Sequence, residues 1–84
     1  MLTAENVAIR DMTVGFLRLH GFTDFRSEMG FVSFRISARK PDGQVSDIFW
    51  PLYVELTTQQ VLAKLVEIDV ALRSEQPAMI EVSP

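Results

Sequence analysis

Few residues of this sequence could carry out chemistry. Among its 84 residues there is one histidine, His20, and no cysteine, so a thiol nucleophile and a thiolate metal site are both excluded. A hydrolytic triad could be assembled on paper from a serine, His20 and an aspartate, but no nucleophile-elbow motif surrounds any serine. His20 falls in the last turn of a predicted helix, where a cationic side chain interacts favourably with the helix dipole. We therefore interpret His20 as a structural residue.

The acidic residues and the glycines give no stronger indication of a catalytic or ligand site. The 11 Asp and Glu side chains are scattered, and no spacing places two of them around one reacting bond. No calcium-loop motif is present, and the 4 glycines are isolated, which excludes a glycine-rich phosphate-binding loop. The sequence therefore predicts a protein that is not an enzyme and that has no metal and no cofactor.

The charge distribution bears on the class of partner. The formal net charge is −3, and residues 45–84 hold six acidic side chains against only Lys64 and Arg73. Phosphate binding depends on basic side chains that release counterions, so a nucleic acid is not the expected partner. The rival hypothesis is a nucleic-acid-binding surface on the more basic middle of the chain. Its residues would be Arg26, Arg35, Arg39 and Lys40.

Composition and hydropathy also indicate the cellular compartment in which the protein is expected. No apolar run approaches the ~20 residues that a membrane-spanning helix needs. The first residues show no basic-then-apolar signal pattern. A chain without cysteine suits a reducing compartment. We therefore expect a cytoplasmic protein that does not contact a membrane.

The first element is a helix predicted over about residues 4–20. Thr3 can cap its start, and Gly21 can act as its C-cap. At ~100° per residue the helix has one main apolar arc, which we expect to face the core, while Leu17 lies off this arc. Gly15 within the arc indicates a close approach to another element. The arc contains Ala4, Ala8, Ile9, Met12, Gly15, Phe16 and Leu19.

A second helix is predicted over about residues 57–75. It begins with a capping box formed by Thr57 and Gln60. One apolar stripe is expected to face the core, and further apolar residues widen that stripe to nearly half of the circumference, with Asp69 among them. The stripe contains Val61, Leu65, Ile68 and Leu72. The residues that widen it are Leu62, Val66 and Val70.

Three strands between the helices are predicted from two turns. Met29-Gly30 can form a two-residue hairpin turn, and residues 41–43, Pro-Asp-Gly, can form a three-residue hairpin loop. These turns place three aromatic residues in one cross-strand row on the core face. Because a one-residue slip would exchange the two faces of the sheet, the agreement between turns and pattern supports this register. The row contains Phe25, Phe34 and Trp50.

The predicted fold is therefore α+β, in the order α-β-β-β-α. It is a three-stranded antiparallel meander with two helices packed on one face, in a single domain over residues 1–84. Pro51 is compatible with the third strand only if that strand lies at an edge of the sheet, because proline cannot donate to a neighbour. Residues 78–82 could form a short C-terminal extra strand or belong to a flexible tail of residues 76–84.

The helix–three strands–helix order resembles the double-stranded-RNA-binding domain over roughly residues 4–75. The resemblance is one of topology. That family grips phosphates through a lysine-rich start to its last helix, where this sequence has Thr57-Thr58-Gln59-Gln60 followed by Lys64. Since the departure falls on the functional residues, the resemblance does not carry RNA binding over to this chain.

Two surfaces are candidates for binding. The face of the sheet opposite the helices would hold aromatic residues and an arginine, which are types enriched in protein–protein hot spots. The structural alternative is cross-strand pairing, with Arg35 lying over Phe49. The second surface is on the second helix, where Asp69 could instead be solvated or paired with an arginine. The sheet residues are Phe31, Arg35, Phe49 and Tyr53. The helix residues are Val66, Asp69 and Val70.

These observations predict a small non-catalytic protein-binding domain that acts through its open sheet face. An accessory, adaptor or inhibitor protein would fit, with another protein as the partner and a homodimer as a further option. The first alternative is a nucleic-acid-binding domain with the topology of the double-stranded-RNA-binding domain. The second alternative is a small homodimeric structural or sensor protein.

Overall fold

A computed structural model describes residues 3–52, 55–73 and 79–82. The fold is α+β, as predicted, with four strands in the sheet order β1-β2-β3-β4. β1, β2 and β3 form an antiparallel meander, and β4 pairs with β3 in parallel. The predicted extra C-terminal strand is thus present, and Tyr53 lies outside the described residues. The elements are α1 (Ala4–Leu19), β1 (Thr23–Met29), β2 (Ser33–Arg39), β3 (Val45–Pro51), α2 (Thr58–Leu72) and β4 (Met79–Glu81).

Both helices pack on one face of the sheet. The core joins side chains of α1 and α2 to the inward-facing side chains of β2 and β3, and its centre is the pair of Phe34 and Trp50, both fully buried. The buried aliphatic residues of the helices are Ile9 and Leu17 in α1 and Val61, Leu65, Ile68 and Leu72 in α2. The predicted core stripe of the second helix is confirmed.

The ends of α1 are capped as predicted. The Thr3 hydroxyl accepts a hydrogen bond from the Asn6 amide at 3.1 Å. At the other end Gly21 has φ +85°, a conformation that glycine adopts without strain. The Phe22 amide donates to the Leu17 carbonyl and the Gly21 amide to the Arg18 carbonyl, both at 3.0 Å. This pattern is the Schellman motif, which satisfies the last carbonyls of the helix.

The predicted core face of α1 is correct only in part. Ile9 is buried, and Met12 and Phe16 pack against the core, as the predicted arc requires. Leu19, placed in the core arc, is 87% exposed, whereas Leu17, placed off the arc, is fully buried. The reason is that two polar residues share the buried face with Ile9 and Leu17. Thr13 donates its hydroxyl hydrogen bond to the Ile9 carbonyl at 2.7 Å, and Asn6 accepts one from Thr3. The N-cap residue and the helix backbone thus satisfy the Asn6 side-chain oxygen and the Thr13 hydroxyl, whereas Asn6 Nδ2 has no hydrogen-bond partner among the described residues.

Gly15 does not make the close approach that its position suggested. No atom lies within 4 Å of the place where a side chain would begin at this residue. The glycine faces an open cleft instead, so it leaves space beside α1.

The β1–β2 hairpin turns at Phe31-Val32 and not at Met29-Gly30. The Gly30 amide donates to the Ser33 carbonyl at 2.8 Å, and Met29 pairs with Phe34. A side chain at residue 30 would come within 3.0 Å of the Ser33 carbonyl oxygen, so glycine is needed here for a close approach.

The observed register places opposite charges across the hairpin. Glu28 pairs with Arg35, whereas the predicted register would have paired Glu28 with Phe31. Phe25 is therefore not the partner of Phe34, although it still packs against the core. The shift moves β1 by four residues, an even number, so the side chains stay on the predicted faces of the sheet. A bulge between Thr23 and Arg26 accommodates the remaining mismatch.

The β2–β3 register is confirmed. Phe34 pairs with Trp50 and Arg35 with Phe49. The predicted loop closes through the Lys40 amide, which donates to the Gln44 carbonyl at 2.7 Å, and Gly43 has φ +91°.

The expectation that β3 is an edge strand is wrong, because β4 lies beside it. Pro51 is nevertheless tolerated. The last observed β3–β4 pair is Phe49 with Glu81, and the Val82 amide then donates to the Phe49 carbonyl at 2.8 Å. The amide that Pro51 lacks would come after this point, so proline removes no observed ladder bond.

Candidate functional site

The open face of the sheet is polar and internally paired. Arg35 and Phe49 are directly opposite each other and both are half-buried, as the predicted aromatic–arginine surface requires. Arg35, however, donates to the carboxylate of Glu28 on the neighbouring strand. Glu81 lies beside Phe49 on the other side. The Arg35–Phe49 pair is thus flanked by acidic side chains in the same cross-strand row.

The predicted four-residue sheet surface is not assembled. Phe31 lies at the tip of the β1–β2 hairpin and is 98% exposed, because the hairpin turns two residues later than predicted. Tyr53 is outside the described residues. Of the three predicted residues that the structure describes, Arg35 and Phe49 lie together and Phe31 lies apart from them.

Two further polar pairs lie on the open face. Ser37 donates to the Asp47 carboxylate across β2 and β3. Arg39 donates to Asp24 at 3.1 Å and to the Gly43 carbonyl at 2.9 Å. Arg35 and Arg39 belonged to the basic set of the nucleic-acid hypothesis, and both are in ion pairs with carboxylates. These contacts agree with the structural interpretation of the sheet face.

An exposed apolar surface lies along α2. Leu62, Val66 and Val70 are 49%, 60% and 66% exposed. Residues four apart lie on the same side of a helix, so the three side chains form a continuous stripe. We call this stripe the α2 face. It contains Val66 and Val70 of the predicted helix surface and has no charged residue within it.

Asp69 borders the α2 face and has a structural role. Its side chain is only 21% exposed. One carboxylate oxygen lies 2.8 Å from the Arg73 guanidinium, one helical turn later, and the other lies 3.7 Å from Nδ1 of His20. The expected pairing with an arginine is confirmed. The contact with His20 joins the end of α1 to α2, and the His20 ring also lies 4.6 Å from that of Phe16.

A cleft between α1 and β1 was not anticipated from the sequence. Its volume is about 410 Å³, and it lies beside Gly15. Arginines line it from both elements, above an apolar floor. A sequence signal for it exists, since Arg10, Val14 and Arg18 follow one another at four-residue spacing on α1. The arginines are Arg10, Arg18 and Arg26. The floor residues are Val14, Phe25 and Ile36.

The described residues provide neither a metal-binding cluster nor a membrane-spanning helix. Within residues 3–52, 55–73 and 79–82 there is no group of three or more His, Cys, Asp or Glu side chains that could hold a metal ion. Neither α1 nor α2 combines the length and apolar character that crossing a membrane requires.

Comparison of the chain with protein-family models, with curated proteins and with solved structures found no match. The function must therefore be argued from the surfaces of the molecule itself.

Proposed function

We propose that this chain is a non-catalytic protein-binding domain and that the α2 face is its principal contact surface. The observation that carries this proposal is the exposure of three large aliphatic side chains in one uninterrupted stripe. An apolar stripe of this kind is typical of surfaces that another protein covers. The occupant we propose for the α2 face is a second copy of the chain.

The spacing of the α2 face suits a symmetric dimer. Leu62 and Val70 each lie four residues from Val66, so an antiparallel copy of α2 would place Val66 against its own counterpart and Leu62 against Val70. Such an interface is self-complementary, as a two-fold dimer requires. At its ends Gln59 would face Arg73 of the other copy, so no like charges would be brought together. Ala63, on the same side of the helix, leaves room for close packing of the two helices.

The burial of the α2 face determines the affinity that we expect for the dimer. Full burial of an aliphatic side chain contributes about 1.5–3 kcal/mol, and a symmetric dimer would bury this stripe from both copies. The side chains are already partly buried, and association has its own entropic cost. We therefore expect a dissociation constant in the micromolar range.

The sheet face ranks second as a contact surface. Two of its arginines, Arg35 and Arg39, are already paired with carboxylates, and Phe49 is half-buried between charged neighbours. The same ion pairs support a protein in preference to a nucleic acid as the partner, because a phosphate would have to displace them. A cysteine-free composition fits a reducing compartment, and we propose a cytoplasmic location.

Val66→Glu is expected to abolish dimerisation, since it would bring two carboxylates together at the centre of the interface. Sedimentation equilibrium should show the unmodified chain as a dimer at micromolar concentration and the variant as a monomer, with affinity reduced at least about a hundredfold. Circular dichroism should show that the variant remains folded, because Val66 is exposed in the monomer.

Val45→Glu is the matched control. Val45 is 50% exposed and lies on β3, on the open sheet face. The same substitution there should leave the dimer unchanged. If Val45→Glu disperses the dimer while Val66→Glu does not, the sheet face is the interface and the proposal for α2 is wrong.

A further inference from the structure

The free edge of the sheet lies beside the α1–β1 cleft. β1 is the first strand in the sheet order and has β2 as its only partner among the described strands. In an antiparallel ladder, alternate residues direct their amide and carbonyl groups towards the partner strand. The Gly30 amide donates to Ser33, and the register then directs Glu28 and Arg26 inward as well. Ser27 and Met29 therefore direct their backbone groups outward at the edge.

This edge is open for pairing over half of its length. The bulge is confined to the start of β1, between Thr23 and Arg26, where Asp24 has φ +55°. Bulges protect an edge strand because they twist it away from regular pairing. From Arg26 to Met29 the pairing with β2 is regular. A strand could therefore be added along this half of β1.

The cleft beside this edge has a positive charge, in contrast to the whole chain. Arg10 and Arg18 line it from α1 against the single carboxylate of Asp11, and Arg26 borders it at the strand edge although its pairing with Ser37 puts it on the open face. The whole chain, by contrast, has a formal net charge of −3. Arg10 lies 3.3 Å from Asp11. Arg18 forms no ion pair with any described residue, and its guanidinium lies 5.3 Å from the centre of the Phe25 ring. Arg18 is thus available to a ligand in the cleft.

We propose that the α1–β1 cleft binds an extended acidic segment of a partner protein, which adds to β1 as a further strand. Its backbone would pair with the outward groups of Ser27 and Met29. Because side chains of a strand alternate between faces, every second side chain would enter the cleft. There an apolar side chain would contact Phe25 and a carboxylate would reach Arg18. Strand addition of this kind gives affinity through the backbone and specificity through the pocket.

Charge favours this occupant over a second copy of the chain. Two β1 strands placed edge to edge would bring together two clefts that each carry an excess of arginine, and like charges at a contact weaken it. An acidic peptide would neutralise the cleft instead. This surface is separate from the α2 face, so the two proposals can fail independently.

The test uses a synthetic peptide of alternating glutamate and valine, titrated into the full chain by fluorescence anisotropy. Binding should be measurable below millimolar peptide and should weaken as salt is added, because the recognised charges are exposed. Amide hydrogen exchange monitored by nuclear magnetic resonance should show new protection at Ser27 and Met29. The amides of Arg26 and Glu28, which already face β2, should change little.

Two variants locate the site. Arg18→Glu should weaken peptide binding by about tenfold or more through the lost charge-assisted contact. Gly15→Leu should block the cleft without disturbing the fold, because the space beside Gly15 is open and leucine is the better helix former. Lys64→Glu, a charge reversal on α2, is the control and should leave the affinity unchanged.

Four results would overturn the proposal. The first is equal binding of a peptide of alternating lysine and valine, and the second is tighter binding of an oligouridylate. The third is peptide binding that both cleft variants leave intact. The fourth is protection of Ser27 and Met29 that depends on protein concentration in the absence of peptide, since that would identify a second copy as the occupant.

Discussion

Trp50→Ala is expected to destabilise the domain by about 3–5 kcal/mol, the range typical of truncating a buried large aromatic side chain. Trp50 is fully buried opposite Phe34, so the truncation would leave a cavity at the centre of the core. A domain of this size has a total stability of about 4–12 kcal/mol. The variant should therefore lose much of its cooperative unfolding transition in urea.

Phe49→Ala and Trp50→Phe are the controls for this prediction. Phe49 is adjacent in sequence but half-buried on the opposite face, so its truncation should cost clearly less than that of Trp50. Trp50→Phe keeps most of the buried volume, and the indole Nε1 it removes has no hydrogen-bond partner among the described residues. It should therefore be the milder change at this position. A Phe49→Ala variant that is less stable than Trp50→Ala would show that the faces of β3 are reversed.

Leu17→Ala is expected to cost about 2–5 kcal/mol, whereas Leu19→Ala should change stability by less than about 0.5 kcal/mol. The two residues have the same side chain and lie two positions apart on α1. Leu17 is fully buried and Leu19 is 87% exposed. The Leu17 carbonyl also accepts a hydrogen bond from the amide of Phe22, which packs in the same core. The large difference follows from burial alone.

Urea denaturation of the two leucine variants measures this difference directly. Both should be examined at a protein concentration well below that of any dimer, so that association does not contribute to the apparent stability. Equal losses, or a greater loss for Leu19→Ala, would mean that α1 presents to the core the apolar arc that hydrophobicity alone predicts.

The hairpins show how far turn chemistry determines register. The β2–β3 loop could be predicted because proline, aspartate and Gly43 each favour one position in it, and Gly43 takes the required positive φ. In the β1–β2 hairpin, a glycine at residue 30 is compatible with two positions. It can lie within the turn, or it can belong to the residue pair that closes the turn. The choice depends on the ion pair of Glu28 with Arg35 and on the close approach at Ser33. Those contacts join different strands, so local sequence preference does not determine them.

The orientation of α1 and the position of β4 depend on tertiary contacts. Hydrophobic periodicity assigns polar residues to the surface, yet Asn6 and Thr13 are buried, with hydrogen bonds from the Thr3 hydroxyl to the Asn6 oxygen and from the Thr13 hydroxyl to the Ile9 carbonyl. β4 reaches β3 only after α2 has crossed the sheet, and a strand of three residues has too few positions to show a period. Neither feature has a strong local signal.

The candidate surfaces were predictable in composition but not in assembly. The sequence indicates a wide apolar arc on α2, and the structure shows which part of it is left exposed, namely Leu62, Val66 and Val70. The prediction of the sheet surface depended on a turn at Met29-Gly30. Because the turn lies at Phe31-Val32 instead, Phe31 was placed wrongly. The pairing of Arg35 with Glu28 depends on that same register. An error in the register of one strand therefore changes which residues lie together on a surface that spans several strands.

Cysteine cross-linking at Val66 tests the proposed dimer most directly. The chain contains no cysteine, so Val66→Cys introduces a single thiol without further changes. An antiparallel pairing of α2 brings this thiol next to its counterpart, and mild oxidation should convert the variant to a covalent dimer. Val45→Cys, on the sheet face, should remain monomeric on a non-reducing gel under the same conditions. Cross-linking of Val45→Cys without cross-linking of Val66→Cys would contradict the account.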